Sequence, residues 1–584
     1  MSQTTAQAVH GASGDVRFGR TESSMVWAAW ADALGFISEL TDENGLRRRT
    51  GGDQLSAPIA WTRRVGGKFG VAAEMPAGCY SDDTQLRLAT SRAISGHGFD
   101  VEAFARIELT VWPAYALGGG RASRAAATAM TKVNASWSTN FYPGWTEAGG
   151  NGAAMRVQPH VWAAANLMED DFLVDVVRNS VVTHGHPRAL VGAVLQSVAL
   201  AQALHRGRVP GVNDWSDLIG RTRVAHRSFF RDEQLSSFWA PQWERQTGLS
   251  LELEWQKAVD ECEAMLRDSE TAVEAMNAAN EADDLDRVSA AYRQLADRLR
   301  LHDPKTRGSG TATVVAALAL AAALPDHPAK SSIVAARAVG TDTDTIATMA
   351  ASIVGASDSF SLPKDVQDLD YLRAEADRLY RIAQHMSAPM FSYVDTLRWS
   401  PPQSQLDAVG IADGRPALGG MGWLEFTSAP YGEKEGVWSW AQTSFGPSII
   451  VKHRQSLKPL SNANWPVARA MKTGVSRTEA QPERSQQRTP RGSRPNRQPT
   501  LFEATDAAST AELVTNPRTQ PEPSATSVRG SGPIDVDQIL AWLGRQKFND
   551  ESLGYAVRRI SEAGSLEQMA LFLASVRSEI RQIK

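Results

Sequence analysis

A chain of 584 residues exceeds what one hydrophobic core supports, so several domains are expected. Hydrophobic residues make up 42% and charged residues 22%, ordinary for a soluble globular protein, and the net charge of −4 excludes wholesale attraction to nucleic acid or an anionic membrane. Two cysteines far apart, Cys79 and Cys262, exclude a disulfide framework and a zinc-ligand spacing, and point to a reducing, cytoplasmic setting.

Residues 1–23 are polar, without the basic and apolar regions of a secretory signal, and read as a disordered lead. From Ser24 to Gly35, SMVWAAWADALG is apolar on almost every side, which predicts a buried helix whose one carboxylate, Asp32, needs a partner. Glu39 lies two turns on. It shares Asp32's face if the helix continues past Gly35, and stands on a loop if that glycine ends it. Residues 45–79 have loop composition.

Tyr80–Leu88, YSDDTQLRL, crowds Ser81, Asp82, Asp83 and Thr84 at a helix N-terminus, where adjacent carboxylates repel unless something neutralises them. Gly149–Arg156, GGNGAAMR, is a glycine-rich turn into a helix, either a phosphate cradle or a plain connector. Thr183–Pro187, THGHP, sets His184 and His186 before the helix of Arg188–Leu204. Hydrogen bonding to a substrate suits them better than metal ligation, because the other candidate ligands are oxygens.

Residues 209–307 read as a charged helical insertion, with runs at Leu251–Arg267 and Glu270–Leu301 and their charges on a solvated face. The Ala-rich run Thr311–Leu324 stops at Pro325, short of the roughly 20 residues that span a bilayer, so no membrane association is expected. Ala338–Ala356, AVGTDTDTIATMAASIVGA, then repeats the theme of residues 81–84: Asp342 and Asp344 sit between threonines at the mouth of a buried helix. Such acids either cap the helix or, met by the upstream pair, hold Mg²⁺ or Mn²⁺. The first ~375 residues have helical periodicity nearly throughout and read as all-α.

Residues 376–462 change character. Trp423, Phe426, Tyr431, Trp438, Trp440 and Phe445, with turns at Tyr431-Gly432 and Gly446-Pro447, predict a small β-rich appended module. Residues 463–532 read as a disordered linker, whose Arg484, Arg488, Arg491, Arg494 and Arg497 are solvated or make weak nucleic-acid contact. Three short amphipathic helices in 533–584 form a tail expected to dock on a partner protein, a second copy or the main body.

Taken together, these motifs resemble the ADP-ribosylglycohydrolase family. Ala31–Gly35 is similar to its Gly-Asp-Ala-Leu-Gly element, Ser81–Thr84 to its Ser/Thr-Asp-Asp-Thr element, and Asn151–Arg156 to its Asn-Gly-x-x-Met-Arg element. Thr183-His184 and Gly340–Thr345 match its threonine-histidine step and its closing Gly-Gly-Asp-Thr-Asp-Thr element. The five stand in the family's order over residues 24–375, with Ala31 and Thr341 where the family has glycine.

The resemblance implies an all-helical enzyme with two Mg²⁺ ions, Mn²⁺ being the alternative. Ser81, Asp82 and Asp83 would hold them from one side, and Asp342, Asp344 and Thr345 from the other. It places Asp32, Asn151, Gly152, Met155 and His184 against the ADP-ribose. Glu39, Asp83 and Asp344 become the catalytic acids, Glu39 where some members carry a mobile one. The implied activity is removal of ADP-ribose from a modified protein or other acceptor by a metal-activated water. Two alternatives are a non-catalytic ADP-ribose-binding module recruiting partners through its C-terminal third, and a hydrolase of another ribosylated nucleotide or nucleic acid.

Overall fold

The computed structural model describes residues 4–67, 69–132, 134–433, 435–467, 536–545, 550–563 and 565–583. Its frame is a pair of helices, α1 (Thr4–Ser38) and α8 (Thr343–Gly355), packed along each other and buried almost throughout from Ser23 to Ser38 and along the whole of α8. Small hydroxyl side chains lock the pair. Ser24 donates to the Ser352 carbonyl at 2.6 Å, Thr348 to that of Ala28 at 2.6 Å, and Thr343 to that of Gly35 at 2.8 Å. A Cβ at Gly35 would lie 2.5 Å from Asp344 Cα, so glycine here is where two backbones touch. It is not the helix end that its propensity suggests.

Around this pair lie α2 (Glu43–Arg49), α3 (Asp82–Arg92), α4 (Pro187–Arg206), α5 (Leu251–Glu281), α6 (Leu285–Arg298), α7 (Gly310–Ala323) and α9 (Leu369–Ala383). Helix α4 is the one described helix long and apolar enough to cross a membrane, and 94% of its apolar window is buried inside the protein. Helix α7, predicted over Thr311–Leu324, is buried along nearly its whole length.

Several expectations are corrected. Residues 16–23 are not a disordered lead: they lie within α1, Thr21 and Ser23 are buried, and the Phe18 ring lies 5.5 Å from that of Tyr380. Residues 45–79 are not loop. They hold α2 and an antiparallel hairpin of β1 (Trp61–Val65) and β2 (Val71–Met75), so the helical body is not all-helical. The charged segment breaks at Ala282–Asp284, with Asp283 at φ +51 and Asp284 capping α6, and not near residue 268. The 375/376 boundary falls inside α9, where Leu372, Ala376 and Leu379 present one continuous buried face.

The expected β region is a five-stranded antiparallel meander: β3 (Val409–Ala412), β4 (Arg415–Leu418), β5 (Gly422–Phe426), β6 (Gly436–Thr443) and β7 (Ser448–Arg454), in that order. Its first turn is Asp413-Gly414, both at positive φ, a two-residue hairpin connection. The sheet shares one hydrophobic core with the helices through Leu424, Trp438, Trp440 and Phe445. Residues 463–467, assigned to the linker, continue this fold, since Asn464 bonds Ser400 and Trp465 the Leu460 carbonyl. The rest of the linker and its arginine cluster lie outside the described residues.

The tail forms three helices, α10 (Val536–Arg545), α11 (Asp550–Ala563) and α12 (Leu566–Ile583), as predicted. Leu543, Ile560 and Phe572 lie at the centre of a small core of their own.

Candidate active site

Asp32 finds its partner at the start of α3. Its two carboxylate oxygens accept from the backbone N–H groups of Ser81, at 3.0 Å, and Thr84, at 2.8 Å. The Ser81 hydroxyl accepts from Asp83 N at 3.2 Å and caps the helix. Ser81 and Asp32 between them thus hold the N–H groups of Asp83 and Thr84. Asp32 is fully buried and clamps this turn.

Asp83 is buried, and its Oδ2 has no hydrogen-bond partner among the described residues. Burial drives its pKa well above the usual carboxylate range, helped by the charges of Asp32, Asp82 and Asp342. Burial together with Glu39 and Asp32 pushes Asp82 up to about 7, against the lowering effect of Arg124.

The second acidic turn opens α8. Asp342 occupies the N-cap position without making a side-chain cap bond. Its Oδ2 accepts from Asn151 Nδ2 at 2.9 Å. Asp344 is buried, and its Oδ1 accepts from Thr345 N at 2.9 Å. Burial, then Glu39, Asp83 and Asp342, raise its pKa well above the ordinary value. The two turns thus stand within electrostatic reach of each other. Gly340 takes φ +94, and Thr341, where the family has glycine, is buried with its hydroxyl on the Ala338 carbonyl at 2.8 Å.

Among the described residues no group of three or more His, Cys, Asp or Glu side chains is set at metal-coordinating spacing. The two acidic turns are close enough for their charges to interact and do not form such a group. The donor set is nonetheless that of a hard divalent cation: carboxylates, a serine and a threonine hydroxyl, with one buried carboxylate oxygen left unpartnered.

Asn151 also ties the glycine-rich turn to the start of α7, its N–H donating to the Gly308 carbonyl at 2.9 Å. A Cβ on Gly152 would lie 2.9 Å from His184 Cε1 and 3.2 Å from Ser123 Oγ, a buried hydroxyl with no partner among the described residues. His184 Nδ1 is 2.7 Å from Thr183 Oγ1, and burial followed by Arg156 lowers its pKa to about 3. His186 is a helix cap, its Nδ1 accepting from Arg188 N at 3.1 Å. Met155, expected at the substrate, packs in the hydrophobic core.

Two buried arginines frame these pieces. Arg156 donates to the carbonyl of Gly152, to Asn179 and to Thr183 Oγ1. Arg87 joins Thr348 on α8, at 2.6 Å, to the Met155 carbonyl at 3.1 Å and to Gln158. Arg87 could have been found, since it follows Asp83 by one helical turn on a face otherwise turned inward. Arg63, 3.3 Å from the Glu39 carboxylate, carries no comparable signal, because its polar strand followed by glycines has the composition of a loop.

Residues 14–389 match the family model described as ADP-ribosylglycohydrolase. The chain belongs to the ADP-ribosylglycohydrolase family. Its members are glycosidic-bond hydrolases that act on ADP-ribosylated substrates and are generally metal-dependent. A solved structure titled "ADP-ribosylglycohydrolase-related protein complex" is 19% identical, with 63% of this chain and 99% of that chain covered and a TM-score of 0.39. No curated protein matches the chain.

Proposed function

We propose that this ADP-ribosylglycohydrolase uses two magnesium ions, manganese being the alternative, to remove ADP-ribose from a modified protein or another ADP-ribosylated acceptor. The observation that carries the reading is the buried Asp83, with an unpartnered oxygen, across from the equally buried Asp344. Two such carboxylates are costly to keep charged without a cation between them. Ser81, Asp82 and Asp83 would hold magnesium from one side and Asp342, Asp344 and Thr345 from the other. When bound, the ions would supply Lewis-acid polarisation and a nucleophile at neutral pH.

The chain's own groups do the rest. Thr183 Oγ1 accepts from Arg156 and so turns its proton to His184 Nδ1, which leaves His184 neutral with its own proton on Nε2, a donor for a substrate oxygen. Asn151, Gly152 and Ser123 Oγ border the same space as this imidazole. Glu39 lies outside the proposed ligand set. Burial, with Asp342 and Asp32 nearby, raises its pKa despite Arg63, which suits it to carry the proton that the departing acceptor requires. Water adds at the anomeric carbon as the glycosidic bond breaks. Two buried, unpaired cysteines suit a reducing, cytoplasmic setting.

Substituting Asp344→Ala or Asp83→Ala should lower release of ADP-ribose by about 10²-fold or more while the melting transition stays cooperative. Turnover at the wild-type rate in either variant overturns the reading. A protein that only recruits ADP-ribosylated partners would bind ADP-ribose in calorimetry and release none from an ADP-ribosylated peptide.

A further inference from the structure

The hairpin β1–β2 carries a cation to the one proposed catalytic acid outside the ligand set. Trp61, Arg63 and Val65 share the inward face of β1, while Thr62 and Arg64 point to solvent. The Arg63 guanidinium lies 4.0 Å from the centre of the Phe36 ring, on the last turn of α1, and 5.8 Å from that of Trp61. Held on these rings, it sets Nη1 3.4 Å and Nη2 3.3 Å from Glu39 Oε2, with the two side chains only 15% and 16% exposed. Oε1 has no partner among the described residues. Arg49 fixes the backbone of the same turn, donating to the carbonyls of Ile37 at 2.6 Å and Glu39 at 3.0 Å.

The hairpin in turn leans on the C-terminal sheet. Trp440 Nε1 donates to the Glu74 carbonyl on β2 at 2.9 Å, and the Trp438 ring closes over the hairpin's tip at Gly66. Trp438 and Trp440 are two residues apart on β6, so they present one face to the hairpin. Strand β6 lies beyond residue 389, outside the part of the chain that matches the family.

We propose that Arg63 is the positioning residue for Glu39, and that the C-terminal sheet, through Trp440 and the hairpin, holds Arg63 at its station. Asp342 and Asp32 repel the Glu39 carboxylate, so without Arg63 it would swing away from them. Arg63 engages only Oε2, which leaves Oε1 to exchange the proton. The sheet thereby becomes part of the turnover machinery without touching the acid cluster. This rests on Glu39 as the proton-transfer group.

The test uses the full-length chain with Mg²⁺ and two probes, peptides carrying one ADP-ribosylated arginine or one ADP-ribosylated serine, beside calorimetry with free ADP-ribose. Arg63→Met should lower kcat about tenfold or more, a fraction of the 10²-fold cost of a misplaced group, with KM and the Kd for ADP-ribose changed less than about twofold. Arg63→Lys should recover most of that loss. Added to Glu39→Gln, Arg63→Met should cost nothing further, because its effect passes through the missing acid. Trp440→Phe, which keeps the ring and removes the bond to Glu74, should lower kcat about threefold in the same pattern. Arg64→Met, on the outer face of the strand, should change neither constant.

Unchanged kcat in Arg63→Met, or an equal loss with and without Glu39, overturns the proposal. Should Arg63→Met not fold, Trp440→Phe still decides it by whether kcat falls while KM and Kd hold. A wild type that releases no ADP-ribose from either peptide removes the underlying reading and this proposal with it. A wild type that turns over and an Arg63→Met that matches it removes this proposal alone.

Discussion

In the helical body the acids arrive on helix N-termini and are fixed by short, buried contacts: Asp32 on the α3 turn, Gly35 against Asp344, Arg87 and Arg156 beneath the glycine-rich turn. The five-stranded sheet contributes no acid to the cluster. It reaches the site through intermediaries, Trp440 on Glu74 and Ser448 on Asp368, which accepts from Tyr80 beside Ser81. The difference separates two jobs. Contacts in the body decide whether the site exists, and contacts from the sheet decide how steadily two of its loops are held.

The comparison is sharpest at Gly35. Gly35→Ala drives a methyl group into the Asp344 backbone, where neither helix can yield, so it should cost about 3 kcal/mol or more and abolish activity. A melting temperature unchanged from wild type would show that α1 and α8 are less tightly joined. Arg87→Met removes bonds to the Met155 carbonyl, Gln158 and Thr348 and strands their partners in the core. It should cost about 2–3 kcal/mol in chemical denaturation and lower activity in parallel. On the sheet's side, Tyr80→Phe breaks the 2.7 Å bond to Asp368 and should cost only about 1 kcal/mol with kcat nearly preserved. A loss as large as that of Arg87→Met would erase the division between body and sheet.

The smallest effect is in pH. Asp82, raised to about 7, favours the fold in its protonated form. That stability is fully present below the ordinary carboxylate range and lost as pH rises through about 7. The melting temperature of the metal-free protein should therefore rise as the pH is lowered from 8 to 6. Magnesium, which needs the deprotonated acids, should stabilise more at pH 8 than at pH 6. Equal stabilisation at both values would argue against Asp82 as a ligand.

Much of this was legible in one dimension because the signals are local. The acidic turns, the buried α7 and α8, the tail helices and the aromatic strands each announce themselves within a dozen residues. Two kinds of element lack such a local signal. In Trp61–Val65, three of five residues are polar, and glycines follow, so the strand resembles a loop until its partner and the sheet behind it are seen. The break at Asp283 falls within a charged run whose helical propensity continues on both sides.

By itself the order of residues determined the helical class of the body, the place of each acidic turn at a helix start, and the family those turns belong to. Only the tertiary structure decided that Asp32 clamps the α3 turn, that His186 is a cap and Met155 core, and that Glu39 meets Arg63. The physical reason is range. Helix starts and apolar periods are set by neighbours a few positions away, whereas a carboxylate's partner is whichever group folding brings within about 3 Å, and no spacing along the chain encodes that.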